Sequence, residues 1–154
     1  MLKRQSVFVV QQENKEILHF SLQGLFPSGH MFSLNTNLGT LSHLAIKQDW
    51  PILLTQAQFT STEMSVLLPL LSHYPHYCPC EVLLASFTSG RVTDAALACS
   101  RKRLQEAREL GMWDLEMRAV RNALSRMRLK LRTLGIEATS IMETGYILTT
   151  KNPL

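Results

Sequence analysis

Six basic side chains fall on one short stretch of this chain. Arg118, Arg121, Arg126, Arg128, Lys130 and Arg132 lie between Met112 and Leu134, where only Asp114 and Glu116 are acidic. The surplus of four equals the formal net charge of the whole chain, +4, so the other residues sum to about zero. Concentrated cations suit a polyanionic partner better than they suit general solubility. Arginine grips guanine through two acceptors and asparagine pairs with adenine, so Arg121, Asn122, Ser125 and Arg126 are candidate base-facing residues. Arg118, Arg128, Lys130 and Arg132 are candidate phosphate contacts. Thr60, Ser61 and Thr62, at the start of an earlier helix, are placed to meet a further phosphate. Six such contacts predict that log K falls with log salt at a slope of about −5.

A second cluster is His73, His76, Cys78 and Cys80. Two His and two Cys can hold zinc tetrahedrally, but structural sites take their ligands from two separated pairs. Eight consecutive residues with two prolines read instead as a loop with small apolar cysteines. No third group orients a Cys/His nucleophile. No acid/base or metal constellation is recognisable, so no enzyme activity and no cofactor are expected.

The elements that must carry these residues follow from periodicity. Val120, Leu124, Met127, Leu131 and Leu134 form one apolar stripe of a helix over about 114–134, capped at Asp114. The arginines occupy its other faces. Ile136–Ser140 and Tyr146–Thr150 read as the arms of a hairpin. Upstream, Ser6–Gln12, Glu16–Leu22, His30–Leu34, Thr40–Ile46 and Ile52–Leu54 read as short strands of an antiparallel meander, with breaks at Glu13–Lys15, Pro27–Gly29, Asn35–Gly39 and Asp49–Pro51. Phe59–Tyr74 is a helix capped by Thr60 or Ser61, with Glu63 in its first turn and Pro69 set to kink it. Glu81–Phe87 is a second helix. Thr93 caps a third over Asp94–Leu110, with Gly111 as its stop and Cys99 facing the core.

With 154 residues and 45% apolar content, the chain is expected to form a packed α+β core. No run of eighteen apolar residues marks a membrane span. Three cysteines make no disulfide framework, and a reducing cytoplasm is expected.

From Phe59 onward the order of features resembles the C-terminal effector domain of OmpR/PhoB-type response regulators. Phe59, Thr60, Glu63 and Met64 are similar to that family's first-helix start, and Pro75 and Leu83–Leu84 to its following landmarks. Arg118, Val120, Leu124 to Arg128, Lys130 and Leu131 fall in register with its recognition helix, and Gly145–Leu148 with its wing. The resemblance implies a winged helix-turn-helix over 56–150, preceded by an antiparallel sheet over 1–55, and a regulator that binds double-stranded DNA. Two departures stand out. Met142 and Glu143 replace the wing's usual arginine and glycine, and about 91–111 is an inserted helix. In the family that position is a loop that touches RNA polymerase. The insertion is read as a replacement for that loop, as a surface for a second copy, or as a helix that only enlarges the core. A winged helix used for protein–protein contact, without DNA, is the alternative reading.

Overall fold

The computed structural model describes residues 16–150. The strand read at Ser6–Gln12 and its turn lie outside the described residues. Four strands come first: β1 (Ile17–Phe20), β2 (His30–Asn35), β3 (Thr40–Lys47) and β4 (Trp50–Gln58). They form one antiparallel sheet in sequence order. Phe32 and Leu34 on β2, and Leu41, His43 and Ala45 on β3, alternate inward with the period of two that a half-buried sheet requires. Gln48 and Asp49 both have positive φ (51° and 68°), which makes a two-residue hairpin turn. The break therefore falls one residue earlier than the tryptophan–proline pair suggests, and Trp50 and Pro51 belong to β4. Proline is tolerated there because β4 is an edge strand. Trp50, Ile52, Leu53 and Leu54 are exposed along it.

His43 is buried in this sheet, stacked on Phe32 with Phe26 nearby, and shares a 2.8 Å hydrogen bond with His30. Burial, and then the adjacent His30, push the His43 imidazole below its ordinary pKa. Its neutral form is thus favoured on folding. Stability is fully present above the unfolded value of about 6.5 and falls as pH drops toward the lowered folded value. Urea unfolding at pH 7.5 and pH 5.5 is expected to show the lower midpoint at pH 5.5. The difference should shrink in His43→Phe; an equal difference in both proteins would discard His43 as its source.

The helices follow: α1 (Ser61–His73), α2 (Cys80–Ser89), α3 (Asp94–Glu109) and α4 (Trp113–Thr133). Thr60 caps α1 and, with Glu63, completes a reciprocal capping box. Pro69 sits inside α1, yet the helix runs on to His73. A mid-helix proline removes the donor for the carbonyl four residues back, here Ser65. That carbonyl accepts from the Ser86 hydroxyl of α2 at 2.5 Å. The α1–α2 contact thus satisfies what the proline leaves open. Ser86→Ala is expected to lower the unfolding free energy by about 0.5–1.5 kcal/mol, because it removes the hydrogen bond to a part-buried carbonyl. A variant as stable as wild type in urea would show that another donor takes that place.

Between α1 and α2, Cys78–Pro79 forms a two-residue strand, β5. With β6 (Ile136–Ile141) and β7 (Gly145–Thr150) it makes a small sheet in the order β5-β7-β6. Cys78 pairs with Tyr146 and Pro79 with Gly145. A Cβ on Gly145 would lie 2.1 Å from the Cys78 carbonyl oxygen, so only glycine permits this approach. The expected hairpin is therefore three-stranded, because two residues of the presumed cysteine loop join it.

Buried residues of the first sheet, such as Phe32, Leu34 and Leu41, belong to one cluster with Leu67 and Leu70 of α1, Leu83 of α2 and Leu124 and Met127 of α4. The stretches read as 1–55 and 56–150 share that core. Among the described residues, no helix is long and apolar enough to cross a membrane.

Candidate nucleic-acid interface

The site is built on α4. Trp113, Met117, Val120, Ala123, Leu124, Met127 and Leu131 are buried on one side. Their spacing is that of a single helical stripe, and it anchors α4 against α1, α2 and β6. On the opposite side Arg118, Asn122, Ser125 and Leu129 follow one another at intervals of three and four, and all four are exposed. Arg121, Arg126 and Arg132 flank that line and are exposed as well. Asp114 is the second residue of the helix and does not cap it; Met112 stands at the cap, without a side-chain bond.

The cations differ in what already holds them. Arg118 has no side-chain partner among the described residues. Arg121 lies 2.9 Å from Asp114, whose side chain is 83% exposed. Arg132 lies 3.1 Å from Glu137. Pairs of this exposed kind are worth about 0–1 kcal/mol and open readily to an incoming phosphate. Arg126 approaches Glu63 only to 3.9 Å.

Lys130 is a different case. Its ammonium donates to Glu63 Oε1 at 2.6 Å, and the Glu63 side chain is 3% exposed. The same oxygen accepts from the Thr60 amide at 3.0 Å. Burial alone would raise the Glu63 carboxyl. The Lys130 hydrogen bond, the Thr60 amide and the charges of Lys130 and Arg126 outweigh it and hold the carboxyl below its ordinary range. Lys130 is thus a tie between α4 and α1, held by Glu63 in this structure rather than left unpaired on the surface. The physical reason is that a desolvated carboxylate requires a permanent cation.

The start of α1 changes in the same way. The Thr60 hydroxyl accepts from the Glu63 amide at 3.2 Å, and the buried Glu63 carboxylate already supplies the negative charge that a helix N-terminus favours. The Thr60 hydroxyl is thus engaged within the helix cap, although the residue is exposed. Thr62 stays exposed on the first turn.

Arg128 lies deeper. Its Nε is buried with no hydrogen-bond partner among the described residues. It lines a groove of about 830 Å³ between the end of α3, the flank of α4 from Trp113 to Arg128 and the β6–β7 turn. Arg108, at the end of α3, also lines it. Arg108 stacks over the Trp113 ring at 4.7 Å and donates to the Glu143 carbonyl at 3.1 Å. Its Nε approaches the Glu143 carboxylate at 3.4 Å. The acidic residue of the turn is thus matched by a cation from α3. The linear pattern offered no signal for this pair, whose members are 35 residues apart.

Helix α3 is capped by Thr93 and packs on α2 and α4 through Leu104 and Ala107. Arg101 faces Glu81 and Arg103 faces Glu116. Cys99, expected to face the core, is exposed; buried Ser100 takes the inward position beside it.

The cysteines and histidines near β5 go separate ways. Burial pushes the Cys78 thiol up to about 12 and the Cys80 thiol up to about 11, so both stay protonated. His73 Nδ1 is 2.9 Å from the Pro69 carbonyl. Among the described residues no group of three or more His, Cys, Asp or Glu is arranged to hold a metal ion.

Compared with known proteins, the chain matches no protein-family profile, no curated protein and no solved structure.

Proposed function

We propose that the chain binds double-stranded DNA as a winged-helix regulator. In this reading α4 enters the major groove and the β6–β7 hairpin serves as the wing. The observation that carries it is the exposed line Arg118, Asn122, Ser125 and Leu129, opposite the buried stripe and flanked by Arg121, Arg126 and Arg132. An α-helix fits the major groove, and side chains of these types reach base edges and phosphates. The element order α1, β5, α2, α4, β6, β7 and the sheet order β5-β7-β6 support a winged helix with α3 as an insertion. Retardation of a random-sequence duplex in low salt, followed by selection of the bound sequences, tests this reading. Absence of any retarded band at 50 mM salt rejects it.

A protein–protein module is the second reading. One observation favours it: the uncharged edge strand β4, with Trp50, Ile52, Leu53 and Leu54 exposed. Beyond Pro51, which blunts one end, such an apolar edge is a site for strand pairing. Such a module would show concentration-dependent association and no retardation of DNA.

A further inference from the structure

The groove between α3, α4 and the β6–β7 turn is lined by an arginine whose covered Nε–H has no acceptor among the described residues. Three guanidinium groups line it: Arg108, Arg121 and Arg128. Arg108 is committed to Glu143 and Trp113, which leaves it as the residue that positions the turn. Arg121 is held only by Asp114, on the surface. Arg128 has its Nε–H buried without a partner among the described residues. A buried, unsatisfied donor on a charged group is costly and calls for an oxygen acceptor. The carboxylates that line the groove, Asp114 and Glu143, are already engaged by Arg121 and Arg108.

We propose that this groove is an oxyanion site that takes a phosphate group. Arg128 is its anchor: its Nε is covered in this structure, and the side chain turns toward the groove to offer phosphate the forked geometry of guanidinium. Arg121 turns from Asp114 to the same group, since an exposed pair costs little to open. Arg108 keeps the hairpin turn beside α4, so that the groove holds its width. The site stands whether the phosphate belongs to a duplex backbone or to a free phosphorylated ligand.

The test follows the arginine Nε–H resonances of the ¹⁵N-labelled full chain. Inorganic phosphate is titrated at constant ionic strength against chloride, and a random-sequence duplex is titrated separately. The Arg128 resonance, assigned by its loss in Arg128→Lys, is expected to move with phosphate. Arg121→Gln, a surface change that should leave the unfolding midpoint in place, is expected to weaken that titration by roughly threefold or more, the worth of one exposed charge contact. Movement with duplex alone identifies the ligand as a strand phosphate and upholds the site. Movement with phosphate while duplex fails to bind upholds the site and removes the DNA reading. An Arg128 resonance unmoved by both titrants overturns the proposal. So does an Arg121→Gln titration identical to that of wild type.

Discussion

Glu63→Ala is expected to destabilise the protein by about 2–4 kcal/mol. The carboxylate joins two structures: it completes the cap of α1 and it pairs with Lys130 of α4. Loss of a cap side chain costs about 0.5–2 kcal/mol. Removing one partner of a fully buried pair costs about 3–5 kcal/mol, because the other charge is left behind. Here Lys130 is about one-third exposed and can recover part of its hydration, so the lower end applies. The melting midpoint should fall by roughly 5–15 °C for a chain of this size. Glu63→Gln keeps an acceptor for the Thr60 amide and loses the charge, so it should fall between wild type and Glu63→Ala. The sign with pH is also determined. The Glu63 carboxyl is held below its ordinary value, so its contribution is present above the unfolded pKa and is lost as pH falls through the folded one. Thermal unfolding of Glu63→Ala within about 0.5 kcal/mol of wild type would show that Lys130 is solvated and that α1 and α4 are not tied there.

The second large effect is the salt dependence of DNA binding. With Lys130 withdrawn, α4 presents five arginines: Arg118, Arg121, Arg126, Arg128 and Arg132. At about −0.9 per phosphate neutralised, five contacts give a slope near −4.5, and affinity falls roughly 500-fold between 50 and 200 mM salt. Single variants separate the roles. Arg118→Ala should flatten the slope by about one, whereas Lys130→Met should lower stability and leave the slope unchanged. Asn122→Ala is expected to relax the choice among bases by about 1–3 kcal/mol and to leave the slope alone. A salt titration flat between these concentrations would mean that the arginines of α4 meet no phosphates.

Much of the architecture was legible in the chain itself. The apolar stripe from Val120 to Leu134, the cap at Thr60, the stop at Gly111 and the alternation in β2 and β3 are local patterns, and local patterns follow from helix and strand geometry. The mid-helix proline was legible as well, but its remedy was not. Ser86 reaches the Ser65 carbonyl only once α1 and α2 pack. Cys78–Pro79 is too short to show as a strand, and only the arrival of Gly145 and Tyr146 makes it one.

The sequence by itself determined that α4 has a greasy edge and cationic flanks, because residue type and helical period are both written in it. Tertiary structure alone decided which of those cations are at liberty. Glu63 lies 67 positions from Lys130 and pairs with it, although the lysine stays about one-third exposed. Glu143 meets Arg108 instead of facing solvent unopposed. Coulomb attraction and desolvation act through space, and a linear pattern carries no record of which opposite charge will fold alongside.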